Sequence, residues 1–223
     1  GWVDWTTVAG SSVGAAALYV VARRGAAVND ATVAVLADAI DAELRARGST
    51  ERAVKERAYL KSEIDHYGTN VPTIRSIAAG IRKRHPDLDH CALVDLATAL
   101  WEVPVHERRL AAAVLLSLHA DRLTAADLPY VERLLRESRT WALVDTLATS
   151  VVAPIADRHP EAAMTLERWA ADDDFWIRRS ALLAELPALR RGDGHFDRFA
   201  RHAEMMLTER EFFIRKAIGW VLR

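Results

Sequence analysis

The chain has 223 residues, 51% hydrophobic and 27% charged, which is ordinary for a globular protein and sufficient for a substantial core. Its net charge of −1 argues against a nucleic-acid binder that is basic throughout, and its single cysteine, Cys91, excludes an internal disulfide framework and fits a reducing compartment. The apolar run 13–22 is too short to span a bilayer and lacks the preceding basic segment of a signal peptide. We therefore expect a cytoplasmic protein with no membrane partner.

The first 28 residues are rich in Ala, Gly and Val and give only a weak helical pattern, over residues 12–24. We assign 1–28 to an N-terminal segment without a defined role. From residue 29 onwards the helical pattern is strong, and we assign 29–223 to one domain.

Caps and periodic apolar residues predict a series of helices after this point. Asn29 or Asp30 can cap a helix that closes at Gly48. Ser49 or Thr50 can cap the next helix, which we predict to reach about His66. Another helix is predicted to begin at Val71-Pro72, and further helices over about 87–101, 104–120 and 124–137. No run alternates apolar and polar residues long enough to indicate a strand, so the predicted fold is all-α.

Basic residues recur at a similar position in the second helix of each predicted pair. They are Arg75, Arg108 with Arg109, Arg178 with Arg179, and Arg215 with Lys216. A two-helix unit that recurs every 35 to 40 residues is typical of HEAT-like repeats, so we predict a curved solenoid of stacked antiparallel helix pairs. The basic residues would then form a positive stripe along the concave wall that binds phosphate groups. The alternative is that Arg and Lys are simply common on exposed helix faces.

Positive charge is also concentrated in one segment of the sequence. Residues 52–84 contain eight Lys or Arg and three acidic residues, an excess of five positive charges. This asymmetry allows a basic surface on a protein that is nearly neutral as a whole. Nucleic acid therefore remains a possible partner.

Trp141 and Asp145 are four residues apart, so a helix places them on one face, one turn from each other. Asp145 adjoins the apolar residues Leu143, Val144 and Leu147 without a cationic neighbour on the same helix. From spacing alone, Asp145 is most simply a solvated acid on an amphipathic helix.

The eight histidines do not form a recognisable metal-binding pattern. His85, His90 and Cys91 are close in sequence, but no second cluster completes a zinc set. We predict no metal and no cofactor.

Six segments of the sequence resemble a known family when they are taken together. They are RAYLKS (57–62), VPTIR (71–75), HERRLAA (106–112), TWALVD (140–145), WIRRSAL (176–182) and EFFIRKAIGWVLR (211–223). In this order and spacing they resemble the AlkD-type DNA alkylation-repair glycosylases, which are built from HEAT-like repeats. The resemblance covers about residues 29–223. Because this family usually continues for one or two more helices, we expect the native chain to extend beyond Arg223.

The resemblance implies a monomeric enzyme that acts on double-stranded DNA containing alkylated purines. It would hydrolyse the N-glycosidic bond of purines alkylated at N3 or N7, without flipping the base, and leave an abasic site. Trp141 and Trp220 match the residues that pack against the deoxyribose, Asp145 matches the catalytic carboxylate, and Arg179 matches a residue that contacts the DNA backbone. Further DNA contacts are implied for the positions of Tyr59, Lys61, Arg75 and Arg223.

A second function from a different class stays open. HEAT-like folds often serve only as interaction surfaces, so the chain can also be a non-catalytic DNA-binding or protein-scaffold module. The combination of Trp141, Asp145, Arg179 and Trp220 favours the enzyme, because a scaffold does not require an acid on a basic wall.

Overall fold

The computed structural model describes residues 27–86 and 88–223, and this part of the chain contains helices and no strand. The all-α prediction is confirmed, whereas the helix predicted over 12–24 lies outside the described residues. The helices are α1 (Ala27–Ala46), α2 (Thr50–Leu60), α3 (Val71–Arg84), α4 (His90–Glu102), α5 (His106–Leu118), α6 (Leu128–Ser138), α7 (Trp141–Leu147), α8 (Ala153–Arg158), α9 (Ala162–Ala170), α10 (Phe175–Ala184), α11 (Leu186–Arg191), α12 (Phe196–Met206) and α13 (Phe212–Val221). Among these helices, none is both long and apolar enough to cross a membrane.

Polar side chains cap the first turns of several helices. The side chain of Ser49 caps α2, and the Asn70 side chain accepts a hydrogen bond from the backbone N–H of Thr73 at 2.9 Å at the start of α3. Asp89 caps α4 in the same way. These bonds satisfy first-turn N–H groups that have no partner within the helix.

The second helix is shorter than predicted. Instead of reaching His66, α2 ends where Lys61 adopts the left-handed conformation, with φ of 50°. The chain then forms an isolated bridge between Asp65 and Val105, in which the Asp65 N–H donates to the carbonyl of Pro104. Because this pairing involves a segment that is distant in sequence, the local periodicity of apolar residues cannot predict it.

The helices pack in two layers, as a helical-repeat solenoid requires. One layer contains the second helix of each pair, with α3 against α5, α5 against α7, α7 against α10 and α10 against α13. In the other layer, α1 packs on α4 and α9 packs on α12. Buried side chains from both layers form one continuous apolar core, which includes Trp101 and Trp169.

A π-turn separates α7 from α8 and keeps the helical segment continuous past Pro154. The turn spans Ala148–Val152 and ends two residues before Pro154, which has no N–H to donate to the preceding turn. The hydroxyl of Thr149 donates to the carbonyl of Asp145 at 2.7 Å. Because π-turns are frequent at functional sites, this turn indicates a functional site near Asp145.

Candidate active site

Trp141 and Asp145 lie one turn apart on α7, as the spacing predicts. Leu143, Val144 and Leu147 on the same helix are fully buried, which fixes α7 in the second-helix layer. The Asp145 side chain is 15% exposed. The simplest interpretation from spacing, a solvated acid, is wrong because this carboxylate has a buried cationic partner on another helix.

That partner is Arg179, on α10. Its Nε donates to Oδ1 of Asp145 and its Nη2 to Oδ2, both at 2.8 Å, while its Nη1 donates to the carbonyl of Phe213. The Arg179 side chain is 1% exposed. Such a two-bonded pair fixes the orientation of both carboxylate oxygens. The guanidinium therefore lies behind Asp145, inside the protein, and not on the surface where a DNA backbone contact would form.

Trp141 is half-buried and contacts two residues for which the sequence predicts a DNA-binding role. The ring of Tyr59 meets it edge-on, with ring centroids 6.0 Å apart and an interplanar angle of 89°. The Nζ atom of Lys216, on α13, lies 6.0 Å from the Trp141 ring centroid. A cation at this distance from an indole ring is attracted by the negative face of the ring.

Trp220 has different neighbours. It is half-buried against the core, and the guanidinium of Arg190 at the end of α11 lies 5.7 Å from its ring centroid. The predicted partnership of Trp220 with Trp141 therefore remains a prediction that concerns the DNA-bound protein.

A cavity of about 360 Å³ opens beside Trp141. The residues that line it are Tyr59, Leu60, Lys61, Glu63, Arg139, Thr140, Trp141, Phe175, Trp176 and Phe213. The aromatic group of Phe175, Trp176 and Phe213 is held together by ring contacts, with Trp176 and Phe213 centroids 4.9 Å apart. No role was predicted for these three residues from the sequence, although Trp176 and Phe213 lie in the WIRRSAL and EFFIRKAIGWVLR motifs and Phe175 directly precedes the first of these.

The basic residues that recur at the repeat period have mostly internal partners. Arg178 donates two hydrogen bonds of 2.9 Å to the carboxylate of Glu209, and Arg108 pairs with Asp41 at 2.8 Å. Arg109 donates to backbone carbonyls. The predicted positive stripe is therefore wrong for these positions, since their charges stabilise contacts between helices.

Other predicted DNA-binding residues remain available to a ligand. The side chains of Lys61, Arg75 and Arg215 are exposed and make no hydrogen bond or ion pair within the described part of the chain. Arg223 is exposed and donates only to the carbonyl of Gly219. These positions keep their predicted role.

One group of side chains has the spacing of metal ligands. Atoms of Glu56, His66 and Glu107 lie within 4.8 Å of one another. Glu107, however, is fully buried and already accepts hydrogen bonds from the backbone N–H groups of residues 67–69, at 2.6 to 3.2 Å. Its carboxylate therefore holds this loop against α5. His90, which the sequence analysis considered as a metal ligand, forms a hydrogen bond with the side chain of Asp127.

Two histidines stack in the interior next to this loop. The rings of His66 and His106 are parallel within 6°, with centroids 4.7 Å apart. Burial, reinforced by the neighbouring His66, lowers the pKa of His106 to about 3. Burial likewise lowers the pKa of His66. Both rings are therefore neutral in the folded protein near neutral pH.

The model of the family described as DNA alkylation repair enzyme matches residues 40–223. A solved structure described as "Predicted DNA alkylation repair enzyme from Enterococcus faecalis" has a TM-score of 0.70 and 22% sequence identity, and the match covers 79% of this chain and 82% of that chain. No curated protein gives a significant match.

Proposed function

The chain belongs to the DNA alkylation repair enzyme family, and on that premise we propose that it is a DNA glycosylase. Its substrates would be cationic purines alkylated at N3 or N7 in duplex DNA. It would hydrolyse their N-glycosidic bond without flipping the base and leave an abasic site.

The observation that carries this proposal is the carboxylate of Asp145, held by Arg179 one turn from the half-buried ring of Trp141. An N3- or N7-alkylpurine already carries positive charge, so the base leaves without an acid. The sugar then develops oxocarbenium character, which a fixed carboxylate stabilises because its orientation costs nothing at the moment of reaction. The same carboxylate can orient the attacking water.

The aromatic residues supply the second element of the proposed mechanism. The face of Trp141 carries a negative quadrupole that favours a cationic sugar packed against it. Trp220 would provide a second face when the DNA is bound. Unpaired cations near the site, such as Lys61 and Arg75, would hold the phosphate backbone.

The non-catalytic module remains the second candidate because the Asp145–Arg179 pair also joins α7 to α10. A buried ion pair of this kind can serve structure alone. The two functions differ in one observable, the release of free base.

The test is release of free base from duplex DNA that carries N7-methylguanine, with the wild-type protein and Asp145→Asn compared. We expect base release by the wild type and a loss of about 10²-fold or more in the variant, while the variant still binds DNA. The variant also leaves Arg179 without its full partner, so a thermal melt must show that the variant is folded at the assay temperature. If a folded wild-type protein binds DNA but releases neither N7-methylguanine nor a bulky N3-adenine adduct, the glycosylase proposal fails.

A further inference from the structure

Two basic residues adopt a backbone conformation that favours glycine. In residues 27–86 and 88–223, Lys61 (φ 50°) and Arg139 (φ 46°) are the non-glycine residues with positive φ. Each follows the last residue of a helix, α2 or α6. Glycine commonly occupies this position because the left-handed conformation crowds a Cβ atom. In this chain Gly192 does so after α11.

Both residues border the cavity beside Trp141. Their side chains are exposed and make no hydrogen bond or ion pair to any described residue, although the carboxylate of Glu63 lies on the same cavity wall. In contrast to the buried Arg179, their charges are free to meet a ligand. Strained backbone conformations of this kind are concentrated at ligand-binding sites.

A third residue of the same cavity wall has a buried hydroxyl group. Thr140 is one of the residues that line the cavity and is 4% exposed, yet its Oγ1 is buried and has no hydrogen-bond partner in the described part of the chain. It does not cap α7, although it occupies the cap position. A buried hydroxyl without a partner is costly, which is the pattern expected where a ligand supplies the missing bond.

We propose that Lys61, Arg139 and Thr140 form a subsite for one phosphodiester group of the DNA strand that carries the lesion. Two cations and a hydroxyl donor suit a phosphate anion, and contacts of this kind set the register of a protein on DNA. Thr140 directly precedes Trp141, so a phosphate held here would fix the position of the nucleotide relative to Trp141 and Asp145. The subsite rests on the proposed function in its choice of DNA as the ligand.

The test replaces each strained residue by the residue that its backbone favours. For Arg139→Gly, and separately Lys61→Gly, we expect the melting temperature to rise by about 2 °C, because the strain is relieved. Affinity for duplex DNA at about 100 mM salt should nevertheless fall threefold to tenfold. The slope of log affinity against log salt should become less negative by about one for each variant. Fluorescence anisotropy over about 50–200 mM salt measures both quantities.

Two further variants separate the subsite from a general charge effect. Arg133→Gln removes an exposed charge on α6 that is paired with Glu137 at 3.4 Å, and it should leave the salt slope unchanged. Thr140→Val removes the unpaired hydroxyl at nearly constant volume. We expect a severalfold loss of affinity without loss of melting temperature.

Duplexes with a single uncharged methylphosphonate linkage identify the phosphate. One linkage near the lesion should weaken binding of the wild type severalfold and leave binding of Arg139→Gly unchanged. If no linkage shows this dependence, or if Arg139→Gly binds DNA with the affinity and salt slope of the wild type, the subsite does not exist. Competition by inorganic phosphate at matched ionic strength, with no dependence on any linkage, would show a free-phosphate site and overturn the assignment to DNA.

The phosphate subsite and the proposed glycosylase function can be refuted independently of each other. If the wild type releases base and Arg139→Gly binds like the wild type, the subsite alone is wrong. If the wild type releases no base while binding depends on Arg139 and on one linkage, the glycosylase proposal is wrong and the subsite stands.

Discussion

The buried arginines between the helices and the exposed cations on the surface share a charge but differ in their partners. Arg179 is buried, with its donors on Asp145 and on the carbonyl of Phe213, whereas Arg75 and Arg139 are exposed without a partner among the described residues. A buried charge must be paired within the protein, so it positions other groups and connects helices. An exposed unpaired charge adds little to stability and is available to an anion. The position of a basic residue in the repeat therefore does not reveal its role; its burial does.

Removal of an interior arginine should have the largest effect on the protein. Arg179→Met should lower the free energy of unfolding by about 3 kcal/mol, because Asp145 loses its partner in a largely buried setting. Base release should fall by about 10²-fold or more, since the carboxylate is no longer oriented. Urea unfolding and the base-release assay measure the two effects.

The double variant Arg179→Met/Asp145→Leu separates stability from activity. Replacing both members of a buried pair by apolar groups is often neutral for stability, so we expect recovery to within about 1 kcal/mol of the wild type with no recovery of base release. Arg178→Met is the matched control, because its pair with Glu209 is more exposed, at 18% and 23%. It should cost only about 1 kcal/mol. A double variant as unstable as Arg179→Met alone would contradict the interior assignment.

A second prediction extends the comparison to a buried group that carries no charge. The pKa of His106 is about 3 in the folded protein and near 6.5 when unfolded, so the unfolded chain binds an extra proton between these values. The contribution of neutral His106 to the free energy of unfolding is complete above pH 6.5 and is lost as the pH falls towards 3.

His106→Phe keeps the ring stack on His66 but cannot titrate. Between about pH 6 and pH 4, the free energy of unfolding of the wild type should fall relative to this variant by about 1.4 kcal/mol per pH unit. Urea unfolding at a series of pH values gives both curves. Parallel curves would show that His106 is accessible to protons in the folded state.

The sequence was sufficient to predict the all-α repeat fold because caps and apolar periodicity are local properties. Ser49 caps α2 as its position indicates, and Asp89 caps α4 in the segment where a helix is predicted to begin. The early end of α2 could not be predicted, since it depends on a bridge between segments that are distant in sequence.

The candidate site was predictable in part. The four-residue spacing placed Trp141 and Asp145 on one face, but the pairing of Asp145 with Arg179 joins two helices and has no local pattern. The left-handed conformations of Lys61 and Arg139 were also invisible, because sequence rules expect Gly or Asn in that conformation. What escaped prediction therefore arises from tertiary contacts and from residues that violate local preferences.

Removal of an exposed cation should have the least effect on stability. Arg75→Gln removes a charge with no partner among the described residues, so the melting temperature should stay within about 1 °C of the wild-type value. If Arg75 binds a DNA phosphate, affinity at about 100 mM salt should fall threefold to tenfold and the salt slope should become less negative by about one. The control Arg201→Gln removes a charge that is 60% exposed but that has an ion-pair partner, Glu167, at 3.7 Å. Equal losses of affinity in both variants would mean that DNA responds to overall charge, whereas a loss confined to Arg75→Gln would assign this cation to the DNA-binding surface.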